Sequence, residues 1–160
     1  MKKLVLTIAG VLLLCTPAIA DPELRFTWTG IVVHHTATAG GTVEDFWNYH
    51  VKVKKWADVA YHYIIYRNGD IVKGRDLGQQ GMHGDDRNWT HIGVALVGNN
   101  NFTKAQEDTL ERVCLSLANK YDIQSIVRHH EECPGTSLDV ETLKQEVLKN
   151  ECKIISDDKK

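Results

Sequence analysis

Apolar runs of strand length alternate along this chain with stretches of helical spacing. Ile31-Val32-Val33 leads into His34-His35 and predicts a short buried strand over 31–34. Over 42–54, Val43, Phe46, Trp47 and Val51 recur at roughly helical spacing and predict a helix. Residues 61–66 (Tyr-His-Tyr-Ile-Ile-Tyr) are rich in β-formers, and Ile71-Val72 follows after Arg67-Asn68-Gly69-Asp70. Asn-Gly between two such runs predicts a hairpin with positive φ at both central positions of its turn. Residues 78–88 carry little apolar content and predict a loop, and 92–97 (Ile-Gly-Val-Ala-Leu-Val) predicts another buried strand. Thr103 with Gln106 forms a capping box opening a helix whose apolar face is Leu110, Val113, Cys114, Leu117 and Tyr121. A strand over 123–128 and a helix over about 139–150, with Leu143, Val147 and Leu148 inward, complete the pattern. The tail from about 156 is expected to be mobile. Strands alternating with helices, plus one hairpin, imply an α/β single domain with a central mixed β-sheet flanked by helices.

The first twenty residues stand apart from this pattern. Lys2 and Lys3, an apolar stretch over 4–14 and Ala18-Ile19-Ala20 before Asp21 have the form of a secretory signal peptide. Cleavage there leaves a domain over 21–160, about 140 residues, enough for one real core. Export to the periplasm or the extracellular space is therefore expected. Nothing after the signal is long and apolar enough to insert in a membrane. The 160-residue chain has 19 basic and 21 acidic residues, and loss of Lys2 and Lys3 makes the net charge about −4. That balance excludes nucleic acid as a partner, which needs a basic surface, and argues against docking on anionic membranes.

Two segments carry chemistry. One is His34-His35-Thr36-Ala37. The other is His129-His130-Glu131-Glu132-Cys133-Pro134-Gly135, after Ile126-Val127-Arg128. Each places histidine where a strand ends and a loop begins, where sheet folds gather their sites. Two imidazoles and one thiolate make a three-ligand Zn2+ site open to water at its fourth position, the catalytic arrangement. Such a site would stand at one edge of the sheet. Neighbouring strand residues point to opposite faces, so only one of His34 and His35, and one of His129 and His130, reaches a shared ion. The others orient ligands or pack. Cys133 has an alternative, a disulfide with Cys114 or Cys152. If Cys133 binds metal, Cys114 and Cys152 are left free to pair in an oxidising compartment. Glu131 and Glu132 are either solvated loop charges or, for one of them, a proton-handling carboxylate beside the metal.

Beyond these two segments, 56–65 (Trp-Ala-Asp-Val-Ala-Tyr-His-Tyr-Ile-Ile), 68–75 (Asn-Gly-Asp-Ile-Val-Lys-Gly-Arg), His83, Asn88 and Ile92-Gly93-Val94 occur in order between the histidine pairs. Together they resemble the zinc-dependent N-acetylmuramoyl-L-alanine amidases of the phage-lysozyme and peptidoglycan-recognition-protein type. The resemblance covers nearly all of the chain after the signal. It implies Zn2+ on His34, His129 and Cys133, a catalytic Tyr61, and substrate binding by His83 and Asn88. It also implies hydrolysis of the amide between N-acetylmuramic acid and L-alanine in peptidoglycan or muropeptides by an exported monomer. The alternatives are a non-catalytic peptidoglycan-binding module of the same fold, or a zinc hydrolase of another cell-wall amide. One departure stands out. The family usually has a longer loop between the late histidine and the cysteine, with Lys or Thr two residues before the cysteine. Here three residues separate them, and Glu131 occupies that position, which makes it the candidate acid and base.

Overall fold

A run such as Ile31-Val32-Val33 has no polar face to turn to water, so it belongs at the centre of a sheet covered on both sides. In the computed structural model, which describes residues 26–157 and the side chains of 26–149, that is its position. The signal peptide expected over 1–20 lies outside the described residues. β1 (Gly30–His35) is flanked by β4 (His91–Leu96) and β5 (Ser125–Arg128), both parallel to it. Next to β4 comes β2 (Tyr63–Ile65), also parallel, and β3 (Ile71–Lys73) closes the edge antiparallel to β2. The sheet order is β3-β2-β4-β1-β5, a mixed sheet as expected.

Alternation along β1 sends its side chains to two faces. Ile31 and Val33 join Ile92, Val94 and Ile126 in a core covered by α2 (Lys104–Lys120) and α3 (Val140–Asp157), through Leu110, Cys114, Leu117, Leu143 and Val147. The other face carries a smaller cluster of Phe46, Val59, Ile64 and Val97 beneath α1 (Val43–Trp47). Thr103 caps α2 with the expected reciprocal bonds to Gln106. The Gln106 amide also donates to the carbonyls of Ile65 (3.1 Å) and Val97 (2.9 Å), joining the helix to the sheet.

Three expectations are corrected. The helix expected over 42–54 is α-helical only to Trp47. It then widens into a π-helical turn, Asn48–Val53, whose backbone closes from Lys54 N–H to the Tyr49 carbonyl (2.9 Å). The wider turn directs His50 inward after Phe46 and leaves Trp47 39% exposed. The 68–69 turn has positive φ only at Gly69 (+89°). Gly69 N–H donates to the Tyr66 carbonyl, and Tyr66 pairs with Asp70, giving a three-residue loop ending in a glycine bulge. Asn68 stays out of the left-handed region because its side chain accepts from Asp70 N–H (3.0 Å). The last helix runs on to Asp157, past the expected end near 150. Ile154 and Ile155 prolong the apolar spacing of Leu143 and Val147, and residues 158–160 lie outside the described residues. Among the described residues no helix is long and apolar enough to cross a membrane.

Candidate metal centre

The parallel pairing of β1 with β5 assembles the centre. Val33 stands opposite Arg128 in register, and His129 N–H extends the ladder to the Val33 carbonyl at 3.1 Å. His34 and His129 therefore leave adjacent strands at the same level, with ring centroids 4.5 Å apart. Cys133 returns to them through a tight turn. Its N–H donates to the His130 carbonyl at 3.1 Å, and His130 N–H donates back at 3.2 Å. The short loop after His129 is thus long enough to close on the ligands. The Cys133 sulfur accepts from His35 N–H at 3.4 Å.

One ligand atom each from His34, His129 and Cys133 lies within 4.8 Å of the others, the one such cluster among the described residues. Ligands around a tetrahedral zinc stand about 3.3–3.8 Å apart, so the trio has to close by at most about an ångström to hold one. The chemistry of the donors fits the ion. Burial, with His83 and His129 close by, holds His34 well below the usual histidine range, and burial also lowers His129. Both imidazoles are neutral at pH 7 with a lone pair to give. Burial raises the Cys133 thiol, while His35 N–H and Arg128 act the other way. A bound cation would convert that thiol to thiolate. Of the paired histidines, His130 is exposed, and His35, on the opposite face of β1 from His34, uses its backbone rather than its ring at the cluster.

Tyr61 lies beside the trio, its ring centroid 5.2 Å from that of His34 and its hydroxyl donating to the His35 carbonyl at 3.4 Å. Burial, followed by the nearby Cys133, pushes its phenol far up, so it keeps its proton. Next to Tyr61 opens a cavity of about 450 Å³, lined in part by Thr36, Asp45, Phe46, Tyr49 and His50.

The model of the N-acetylmuramoyl-L-alanine amidase family matches residues 25–136, a span that includes His34, His129, Cys133 and Tyr61. The chain belongs to this family. The endolysin of Enterobacteria phage T3 is 36% identical over 121 residues, which cover 69% of this chain and 80% of that protein. Peptidoglycan-recognition protein SC2 of Drosophila melanogaster is 29% identical over 125 residues, covering 67% of this chain and 68% of its own. Among solved structures, the N-acetylmuramoyl-L-alanine amidase LysC from Clostridium intestinale URNW superposes with a TM-score of 0.71 at 32% identity. The match covers 76% of this chain and 86% of that one.

In this amidase the remaining candidate residues are placed unevenly. Of His83 and Asn88, expected to bind substrate, His83 is buried and Asn88 is half-buried. His83 is 3% exposed beneath the ligands, with Nδ1 2.9 Å from His34 Nε2, and its carbonyl is 2.9 Å from His129 Nε2. Asn88 accepts from His83 N–H through its side chain. Burial removes His83 from solvent, and half-buried Asn88 holds the His83 backbone through its side chain. Glu131 is exposed in the 130–133 turn and makes no hydrogen bond or ion pair among the described residues. Cys114, on the inner face of α2, is fully buried in the core, its thiol pushed up by burial to about 12, and it makes no disulfide among the described residues. The Cys152 side chain lies outside the described residues, so its expected bond to Cys114 stays an expectation.

Two residues at the centre were missed from sequence. Arg87 donates to the carbonyls of Arg128 and His129, both at 2.9 Å, and pairs with Asp85. Within a polar loop nothing distinguished it. His50 is 6% exposed, accepts from Ala60 N–H at 3.3 Å and stacks on Trp56. Its place four residues after Phe46 was the available signal.

Proposed function

We propose that this amidase is an exported, zinc-dependent hydrolase that cleaves the amide between the lactyl group of N-acetylmuramic acid and L-alanine in peptidoglycan. The observation that carries the reading is the convergence of two neutral imidazoles and a thiol beside a protonated tyrosine. The form of residues 1–20 supports export. The names of the relatives, an amidase and a peptidoglycan-recognition protein, support the polymer.

His34, His129 and Cys133 are the residues that would hold zinc. Bound there, the ion supplies a Lewis acid for the scissile carbonyl and lowers the pKa of water to about 7. The cavity beside Tyr61 receives the substrate and presents its carbonyl to the cluster. Tyr61, kept protonated by burial, donates its hydroxyl hydrogen to the oxyanion that develops on that carbonyl. The departing amine needs a proton. Glu131, two residues before Cys133, is the carboxylate assigned to take the proton released by the attacking water and pass it to the nitrogen as the amide C–N bond breaks.

The test is digestion of purified muropeptides, with mass analysis of the products. The expected result is release of the stem peptide with L-alanine at its new amino end. That release stops with a chelator, returns with added zinc and is absent from Cys133→Ser. Muropeptide retained but uncut by metal-loaded protein would instead identify a binding module.

A further inference from the structure

One residue, His83, stands behind both histidines of the cluster, through its ring to His34 and its backbone carbonyl to His129, and its hydrogen bonds leave a single consistent set of protons. His83 Nε2 faces the His91 carbonyl at 3.1 Å. A carbonyl only accepts, so Nε2 of His83 carries the proton and its Nδ1, in the neutral ring, does not. That bare Nδ1 is 2.9 Å from His34 Nε2, which must therefore be the donor. The His83 carbonyl is 2.9 Å from His129 Nε2, which must be a donor for the same reason. Both rings are thereby fixed as the Nε2–H tautomer. Each has one lone pair left, on Nδ1.

His83 has no freedom to give this up. A Cβ on Gly81 would stand 2.3 Å from its Nε2, and one on Gly93 2.7 Å from its Cε1, so two glycines form the slot that admits the ring. Its backbone N–H is held by the Asn88 side chain, and Asn88 N–H donates to the Asp85 carbonyl at 3.1 Å. Arg87, paired with Asp85, ties the same segment to the carbonyls of Arg128 and His129. Residues 81–88 are thus anchored on the end of β5, while His83 reaches across to β1.

We propose that His83 is a positioning residue that presents Nδ1 of both His34 and His129 to the metal, with Arg87 holding its segment against β5. This rests on the zinc reading above. Groups that orient metal-bound histidines typically change metal affinity by 10- to 100-fold when removed. Here the ring of His83 serves His34, while its carbonyl, which a side-chain substitution leaves in place, serves His129, so loss of the ring acts directly on His34.

Two measurements test this. Long-range proton–nitrogen correlation spectra of the unaltered, metal-free protein at neutral pH should show His34 and His129 as Nε2–H tautomers. A Nδ1–H tautomer at either one overturns the proposal, and no variant has to fold for this result. Second, zinc affinity is measured by chelator competition, and the cobalt-loaded absorption spectrum is recorded, for His83→Ala and His83→Gln. His83→Ala should bind zinc about 10- to 100-fold more weakly with an altered cobalt spectrum. His83→Gln, whose amide oxygen can accept from His34 Nε2, should recover most of the affinity. Folded His83→Ala with unchanged affinity and an unchanged cobalt spectrum overturns the proposal, because a merely packing residue would move neither. If the unaltered protein takes up no zinc, the metal reading itself fails and this proposal fails with it. Normal uptake by the unaltered protein and by His83→Ala alike refutes the positioning role alone.

Discussion

The domain should lose stability in mild acid, and His62 offers a clean way to measure why. Its ring is 1% exposed. Its Nδ1 accepts from Gly93 N–H at 2.9 Å and its Nε2 donates to the Gln79 carbonyl at 3.2 Å, so both nitrogens are committed in the neutral form. Burial lowers its pKa to about 4, with His83 and Arg75 adding to the shift while the Gln79 carbonyl and Asp76 oppose it. In the unfolded chain the same ring titrates near 6.5. Above about pH 6.5 both states are neutral and the ring makes folding no less favourable. Between about 6.5 and 4 the unfolded state alone takes up the proton, so stability falls as pH falls, by up to about 1.4 kcal/mol per pH unit. At pH 5 the loss from this residue is about 2 kcal/mol, against roughly 0.2 kcal/mol at pH 7. His62→Gln removes the titration. Denaturant unfolding of both proteins from pH 5 to 7.5, with chelator throughout to remove metal linkage, should show the variant's profile flatter by nearly one proton near pH 5. Whatever deficit the variant has at pH 7 should shrink by about 2 kcal/mol at pH 5. Parallel profiles would refute the reasoning, because they would mean that His62 titrates alike in both states.

Three further outcomes are expected. Tyr61→Phe keeps the ring but loses the donor, so kcat should fall by about 10²- to 10³-fold with KM little changed, as steady-state kinetics on a muropeptide will show. Glu131→Gln tests the proton role given to that exposed carboxylate. A fall in kcat of about tenfold or more supports it, in the range expected of proton-transfer groups, and full activity removes it. Gln106→Leu strands the carbonyls that its buried amide serves and breaks the α2 cap, so chemical denaturation should show a loss of about 2–3 kcal/mol.

Local pattern reached most of the fold because its elements are locally determined. Runs such as Ile31-Val32-Val33 have no alternative to burial, and the Thr103–Gln106 box marks a helix start by itself. It failed where tertiary contacts choose between local options. Asn68 had two ways to satisfy its turn, and its side-chain bond to Asp70 selected the one without positive φ. The turn after Trp47 widened to deliver His50 to Ala60 and Trp56, which the spacing of apolar residues cannot register. The same limit applies at the centre. Adjacent histidines left two choices at each strand end, and the face of β1 separates His34 from His35. The position of His83 was beyond any local reading, because its partner His34 is 49 residues away and its bonds to His91 and His129 exist only once the sheet has formed.

The placement of His34 and His129 is decided at the opposite end of the strands. Gly30 pairs with His91 on one side and Ser125 on the other, and these two side chains hydrogen-bond to each other at 3.1 Å. A Cβ on Gly30 would stand 2.3 Å from the His91 ring and 2.6 Å from the Ser125 hydroxyl, so only a residue without a side chain passes between them and their bond. A slip of β1 by one residue would bring Thr29 or Ile31 to that point. The slip would also exchange the faces of every β1 side chain and replace His34 by His35 or Val33 at the cluster. Because β4, β1 and β5 are parallel, a register fixed at Gly30 is carried unchanged along the strands to the level where His34 meets His129. The His91 carbonyl that receives His83 belongs to the same anchoring residue. His83 therefore links the lock on strand register to the support of the His34 and His129 rings.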